Sequence, residues 1–256
     1  MIKLPMLNKE IKELCKTYKI IIIPLVFILL ALMQPISMKM LPTLLKNASN
    51  LPAGTIIKIA APSTNDVLRS LLGQFGQMGT IVIILMLMGT IAGERSLEVT
   101  AMVLVKPIGR ARYYFAKFFS YSILVICSMY IAIGFSAYYI EVLFGKVSWS
   151  HIILGTTVYL PNLILIIAIT MFFSSFLKSQ IAVGGAACGV YIILNTVPQY
   201  MGKFLKSISL NELVSTASDI LTGANSIGFL KPVLGVMTLS IILVLAGWLI
   251  FDKQEI

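Results

Sequence analysis

Charged residues are scarce in this chain: only 12% of its 256 residues are Asp, Glu, Lys or Arg, about half the share typical of a soluble domain. There is one histidine, His151, and the three cysteines, Cys15, Cys127 and Cys188, match no zinc-site or disulfide spacing. The motifs GxxxxGK[ST], GxSxG and HExxH do not occur. The sequence therefore predicts neither an enzyme nor a metal-binding protein, and it has no phosphate-binding loop.

The sequence consists largely of long apolar runs, and 58% of its residues are hydrophobic. About 20 apolar residues cross a bilayer as a helix, and lipid leaves only helices and closed barrels as spanning structures. The runs are continuous rather than alternating, which excludes a barrel. We therefore predict an all-α, polytopic membrane protein with a single transmembrane domain. Its six predicted spans lie near 20–41, 70–92, 118–140, 152–177, 181–200 and 233–251.

Lysine and arginine are densest before the first run and around the start of the third. By the positive-inside rule, these segments and both termini are predicted to be cytoplasmic. The loops 42–69 and 201–232 are then outer loops; Ser63 and Asp66 resemble a helix-capping box in the first, and short helices are expected in the second. This bias and anionic lipids explain the net charge of +10, so we expect contact with membrane lipids and no nucleic-acid partner.

Residues 3–19 precede the first span and alternate apolar residues with lysines at helical spacing. This pattern predicts an amphipathic helix that lies in the inner membrane interface. The alternative is a helix that packs on the rest of its own protein. The interfacial placement is favoured because the sequence contains no soluble domain to receive the helix.

Small and polar residues inside the runs allow two interpretations each. Glycines permit close helix approach, either in ordinary bundle packing or at a subunit or gating interface. The glycines concerned are Gly73, Gly76, Gly79, Gly185 and Gly189. Polar side chains either line a transport path or form hydrogen bonds between helices. These are Asn162, Thr170, Asn195 and Thr196. The middle of each run lacks Asp and Glu, which disfavours a proton- or sodium-coupled carrier.

A charged segment, residues 93–117, separates the second and third runs. Its charged residues are Glu94, Arg95, Glu98, Lys106, Arg110, Arg112 and Lys117. Such a segment lies outside the hydrocarbon, and its positive excess favours the cytoplasmic side. It is a candidate docking surface for a cytosolic partner; the alternative is a solvated connecting loop. A second, very short inner turn consists of Lys178, Ser179 and Gln180.

The order of residues after the second run resembles the permease subunit of bacterial type-2 ABC exporters. The positions that carry this resemblance are Glu94, Thr100, Leu104, Pro107, Arg110 and Lys117. Val99 and Ala116 depart from it, because the family favours glycine at both positions. Six spans, an interfacial N-terminal helix and two inner termini also resemble that family, as does the short turn at 178–180.

The resemblance implies a coupling helix within residues 93–112 that docks on a separate ATPase subunit. That subunit would hold ATP and Mg, so no cofactor is expected in this chain. The expected ATPase contacts are Glu94, Arg95 and Glu98. The other residues of the predicted coupling set are Thr100, Leu104, Pro107 and Arg110. The basic residues Arg110, Arg112 and Lys117 would also lie against anionic lipid headgroups.

Two permeases, identical or paired with a sister chain, would enclose the path in the plasma membrane of a bacterium. Two other classes remain open. One is a stand-alone membrane carrier or enzyme, and the other is a non-transporting scaffold or sensor that uses residues 93–117 only for docking. The sequence does not identify the cargo.

Overall fold

A computed structural model of the chain describes residues 5–46, 62–96, 109–200, 202–224 and 228–253. Within these ranges 89% of the residues are helical and none lies in a strand. Six helical segments are long and apolar enough to cross a membrane, which confirms the six predicted spans. We call them the first to sixth spans: Lys19–Thr43, Thr64–Glu94, Arg110–Phe144, Trp149–Phe176, Gln180–Tyr200 and Leu230–Lys253. The side of the membrane that the termini face stays a prediction.

The helices extend beyond the predicted runs, because polar and aromatic residues at their ends weaken the apolar signal. The third helix begins at Arg110 rather than near 118, and the helix of the first span continues to Lys46. The second span begins inside the predicted loop 42–69. Ser63 caps it: its Oγ accepts a hydrogen bond from the Asp66 N–H at 3.2 Å, and the Asp66 carboxylate accepts from the Ser63 N–H at 3.0 Å. The predicted capping box is therefore confirmed.

The second span is not a uniform α-helix. Its α-helical parts, Thr64–Gln74 and Thr80–Leu87, are separated by a π-helical turn, Phe75–Gly79. After a short turn, the helix Ala92–Ser96 ends the described part of this segment. π-Helical turns are rare and interrupt the regular backbone hydrogen bonding, so this one sets the second span apart.

The fourth span lies at the centre of the bundle and contacts the second, third, fifth and sixth spans. In its most apolar stretch of 18 residues 72% are buried, against 22% in the corresponding stretch of the first, fifth and sixth spans. Helices that are apolar on all sides and mostly exposed face lipid or another chain. The core of this protein is therefore built around one central helix, with three spans at the periphery.

The described part of the loop 201–232 contains two short helices, Lys203–Ser207 and Leu210–Leu221. We call the longer one the loop helix. Its Leu213 and Leu221 are buried, and Leu221 lies against the fourth span at Gly155, which permits close contact. A Cβ at residue 155 would lie only 2.7 Å from the Leu221 Cβ. Apolar packing thus holds this end of the bundle together.

The N-terminal helix spans Pro5–Lys16, and Tyr18 follows it with a φ of 56°, a left-handed conformation that separates it from the first span. Met6 and Leu14 are buried, and the helix contacts the first and third spans. These contacts match the alternative in which the helix packs on its own protein. Its placement in the membrane interface stays a prediction.

Candidate coupling site

A buried lysine occupies the beginning of the third span. Lys117 is 1% exposed, and its Nζ lies 3.0 Å from a carboxylate oxygen of Glu10 and 2.5 Å from one of Glu94. Glu13 lies at 3.9 Å, and the hydroxyl of Tyr113 donates to the second oxygen of Glu94. We call these five residues the lysine cluster. A buried ammonium group requires such partners, because its desolvation is otherwise prohibitive.

The members of the lysine cluster come from three separate parts of the sequence. Glu10 lies on the N-terminal helix, and Glu94 lies in the short helix Ala92–Ser96. Tyr113 and Lys117 are four residues apart on the third span and therefore share one face of that helix. Phe251 of the sixth span stacks on the Tyr113 ring, with centroids 5.7 Å apart. The cluster thus joins four elements at one end of the bundle.

Three carboxyl groups surround the single buried ammonium group, and Lys9 adds a second positive charge 3.5 Å from both Glu10 and Glu13. Burial raises the pKa of Glu13, and the neighbouring carboxylates of Glu94 and Glu10 raise it further, whereas Lys117 opposes the change. Glu13 therefore keeps its proton to a higher pH than an ordinary glutamate does.

The backbone that leaves the second span is also fixed to the fourth and fifth spans. The Ala92 N–H donates to the buried Ser174 Oγ at 3.0 Å. The side chain of Gln180 lies against Gly89 and Gly93, and a Cβ at residue 93 would come within 2.7 Å of its Nε2. An alanine at residue 93 would push the end of the Gln180 side chain aside. The short helix Ala92–Ser96 is held from several sides before residue 97.

The structure corrects one sequence prediction at this site. Lys117 does not face lipid headgroups, because two carboxylates balance its charge inside the protein. Glu94 likewise points inward, onto Lys117 and Tyr113, and its predicted contact with an ATPase stays a prediction. Arg110 donates to the backbone carbonyl oxygen of Asp252 at 2.6 Å, next to the end of the sixth span.

The other predicted coupling residues are less fully described. Arg95 lies in the helix Ala92–Ser96. Outside the described residues lie Glu98, Thr100, Leu104 and Pro107. In the second inner turn, Ser179 caps the fifth span by accepting a hydrogen bond from the Ala182 N–H at 3.5 Å, and Lys178 is exposed. The side chain of Gln180 places this turn against the backbone at Gly89 and Gly93, near the end of the second span. Sequence reasoning did not predict this arrangement.

Sequence reasoning also missed Glu10 and Tyr113, although two signals pointed to the pairing of Glu10 with Lys117. Met6, Glu10 and Leu14 follow one another at four-residue intervals, so Glu10 lies within the apolar stripe of an amphipathic helix. A carboxylate in that position needs a buried partner. Lys117 is the complementary signal, because it lies close to the apolar run that begins at 118.

The predicted packing glycines fall into two groups. A Cβ at Gly73, Gly185 or Gly189 would meet no atom of the described residues within 4 Å. A role in helix packing, within this chain or between subunits, therefore stays a prediction for these three. Gly79 faces Phe75 of its own span, at 3.1 Å from the Cβ position, and Gly76 faces the Tyr159 hydroxyl at 3.8 Å.

The predicted path-lining residues also divide by burial. Asn162 and Thr170 are fully buried in the fourth span. Thr170 donates to the Ile166 carbonyl of its own helix at 2.8 Å, and Asn162 accepts from the Tyr191 hydroxyl of the fifth span at 3.2 Å. Asn195 and Thr196 lie at the end of the helix Gln180–Thr196. Asn162 thus forms a hydrogen bond between helices, while a role in lining a path stays a prediction for all four.

The six spans and the absence of strands among the described residues define a multi-pass, all-α membrane protein. The chain belongs to the ABC-2 family of transporters, since residues 4–240 match the family described as ABC-2 family transporter protein. It is therefore the permease of an ABC transporter. It is similar to the uncharacterized transmembrane protein YxlG of Bacillus subtilis (strain 168), with 31% identity over 189 residues that cover 74% of this chain and 72% of that protein.

Proposed function

We propose that this chain is the membrane-spanning permease of a bacterial exporter driven by a separate ATPase subunit. Members of its family typically work with such a subunit. The observation that carries the proposal is the lysine cluster, which fastens the segment leaving the second span to the third span and the N-terminal helix. Residues 97–108 would dock on the ATPase, and the partner would hold ATP and Mg. The complex would lie in the plasma membrane.

The cluster suits a transmitting role because its connections are short and buried. Movement of residues 97–108 would act first on Glu94. Glu94 accepts hydrogen bonds from Lys117 and Tyr113, so these two residues would move with it. Ser174 and Gln180 hold the same backbone from the fourth and fifth spans. Packed elements of this kind move as rigid bodies rather than deform. Closure of the ATPases would therefore tilt several spans together.

This proposal divides the predicted coupling residues into two roles. Glu94 is a positioning residue that transmits movement through Lys117. Arg95, Glu98, Thr100, Leu104 and Pro107 supply the surface that meets the ATPase. The second permease, whether a copy or a sister chain, would face the exposed spans. This division predicts that variants at Glu94 and Glu98 fail in different ways.

A spin label on the N-terminal helix tests the division directly. Cys15 is exposed there and accepts the label once Cys127 and Cys188 are replaced by serine. The complex is purified with its P-loop ATPase subunit, which is sought first among the products of the neighbouring genes, and the label's mobility is recorded with and without ATP. We expect ATP to change the signal in the parent complex. Glu94→Gln should abolish that change while the ATPase still co-purifies, and Glu98→Lys should reduce co-purification itself.

Glu141→Gln is the matched control, because Glu141 lies near the opposite end of the third span and is outside the cluster. It should behave like the parent. A bound ATPase with no ATP-dependent change in the label would favour the scaffold or sensor. Transport by the purified chain with no ATPase present would favour a stand-alone carrier and contradict the proposal.

A further inference from the structure

A second polar cluster lies near the middle of the bundle, away from the lysine cluster. It comprises Tyr159 and Asn162 of the fourth span, Tyr191 of the fifth span, and the π-helical turn of the second span around Gly76. Tyr159 and Asn162 are fully buried, and Tyr191 is 7% exposed. In a membrane bundle, polar groups at this depth require hydrogen-bond partners, because the surrounding lipid supplies none.

The hydrogen bonds in this cluster are incomplete. The Tyr191 hydroxyl lies 3.2 Å from the Asn162 side-chain oxygen and 3.3 Å from the Gly76 carbonyl oxygen, but it has only one proton to donate. Thr80 also donates to the Gly76 carbonyl, at 2.7 Å. The Asn162 side-chain nitrogen has no partner among the described residues. An asparagine amide nitrogen carries two donor hydrogens, so at least one of them is unused.

The Tyr159 hydroxyl is the second group without a hydrogen-bond partner in the described part of the chain. It faces the Asn162 side chain without suitable hydrogen-bond geometry. It also lies against the π-helical turn, 3.8 Å from the position that a Cβ at residue 76 would take. Gly76 has no side chain, so the position beside the Tyr159 hydroxyl that a larger residue would fill is left open.

We infer that Tyr159, Asn162 and the Gly76 turn form an intramembrane binding site for a small neutral group that both donates and accepts hydrogen bonds. Such a group accepts from the Asn162 amide and exchanges a hydrogen bond with the Tyr159 hydroxyl. None of the contributing side chains carries a charge, which disfavours an ion. Two sources share this chemistry: a bound water molecule and the hydroxyl group of a cargo. The site does not depend on the presence of an ATPase.

Radiolytic footprinting of the full chain in nanodiscs tests the site. Hydroxyl radicals formed from bound water oxidise the side chains beside it, and mass spectrometry measures the rate at each residue. We expect Tyr159 to be oxidised several-fold faster than Met129, which is equally buried in the third span and is an intrinsically reactive residue. Gly76→Ala, which narrows the space beside Tyr159, should reduce the Tyr159 rate. Gly73→Ala should leave it unchanged, because a Cβ at residue 73 meets nothing within 4 Å.

1-Butanol, added as a neutral alcohol with an apolar tail, separates the two sources. Fast oxidation of Tyr159 that the alcohol does not alter supports a site for water. Protection by the alcohol in the parent chain, lost in Asn162→Leu, supports a site that accepts a cargo hydroxyl. Oxidation of Tyr159 no faster than that of Met129, with no effect of alcohol, would overturn the inference. If Gly76→Ala does not fold, Asn162→Leu serves in its place. This variant removes the unpaired amide and should likewise lower the oxidation rate of Tyr159.

Discussion

In the described part of the chain, ion pairs connect distant segments at two places, one buried and one exposed. Lys117 is 1% exposed and pairs with Glu10 and Glu94 at 3.0 and 2.5 Å. Arg69, near the start of the second span, pairs with Asp219 of the loop helix at 2.7 Å, and their side chains are 55% and 44% exposed. The distances are similar, but the surroundings differ. Distance alone therefore does not tell how much each pair contributes.

The difference lies in what remains when one partner is removed. A buried charge that loses its partner is stranded in a medium that solvates it poorly, whereas an exposed charge is solvated by water. The end of the bundle that carries the lysine cluster is consequently fixed by its charges. The loop helix is fixed to the fourth span mainly by apolar contacts of residues such as Leu213 and Leu221. Only the first end suits the transmission of movement between elements.

The largest expected effect follows the removal of Lys117. Lys117→Met should lower the free energy of unfolding by about 3–5 kcal/mol, because the buried Glu10 then keeps only Lys9, at 3.5 Å, and the largely buried Glu94 keeps no cation among the described residues. Thermal unfolding of the purified chain in detergent measures the loss. Lys178→Met is the matched control at an exposed position in the second inner turn, and it should stay close to the parent. Equal stability of the two variants would contradict the assigned role of the cluster.

A compensating variant sharpens this result. In the triple variant, Lys117→Met is combined with Glu10→Gln and Glu94→Gln. These changes remove the two carboxylate charges that have lost Lys117, so most of the lost stability should be recovered. The same triple variant should still fail to transmit movement to the N-terminal helix, because the charge-assisted hydrogen bonds are gone. Recovery of both stability and transmission would show that the cluster serves packing alone.

The next largest effect is expected where the loop helix meets the fourth span. A Cβ at residue 155 would lie 2.9 Å from the Ala217 carbonyl oxygen and 2.7 Å from the Leu221 Cβ, so Gly155→Ala should destabilise the protein by about 1–3 kcal/mol. Hydrogen exchange of the loop helix should rise in this variant. Gly185→Ala is the matched control, because its Cβ meets nothing within 4 Å. An alanine there should stabilise the fifth span by roughly 0.5–1 kcal/mol.

If Gly185 contacts a second permease, its alanine variant should instead weaken the assembly. Size-exclusion chromatography with light scattering separates this outcome from a change in the fold of the monomer. Destabilisation by Gly185→Ala as large as that by Gly155→Ala, with no change in assembly, would contradict the exposed position of Gly185 in the fifth span.

The number of spans could be predicted from the sequence because hydropathy is a local property. Each run of about 20 apolar residues identifies its own span without reference to any other. The capping box at Ser63 and Asp66 was predictable for the same reason, since its two residues are three positions apart. The ends of the spans were less predictable: Arg110–Lys117 is helical although it is charged.

The lysine cluster was not predicted because it depends on how the helices pack. Glu10 and Lys117 are 107 positions apart, and no periodicity relates them. The positive-inside rule assigns a lysine to a side of the membrane and does not consider a partner inside the protein. Attraction to anionic lipids likewise suggested headgroups as the partner of Lys117, where the structure has buried ion pairs. An acidic residue in the apolar stripe of the N-terminal helix was the signal that this rule leaves unused.

A smaller effect is expected for the exposed pair. Arg69→Ala or Asp219→Ala should change the free energy of unfolding by about 1 kcal/mol or less, because water solvates the remaining charge. A double-mutant cycle at low and high salt measures the interaction, which should shrink as salt increases. A salt-independent coupling as large as that of Lys117 would remove the contrast between the two ends.

The smallest expected effect is a dependence on pH that arises from Glu13. Burial raises the pKa of this carboxyl group, so the folded chain binds its proton more tightly than the unfolded chain does. The resulting stabilisation is present below the unfolded pKa and is lost as the pH rises through the folded value. Glu13→Gln stays neutral throughout and should gain stability over the parent near pH 7, but not in acid. The gain should be modest, because 37% of the side chain is exposed.

Melting temperatures of the parent and of Glu13→Gln between acid and pH 7 provide the measurement. Lys12→Gln, on the exposed face of the same helix, should show a nearly constant difference from the parent. A gain for Glu13→Gln that is largest in acid would reverse the assigned direction of the pKa shift.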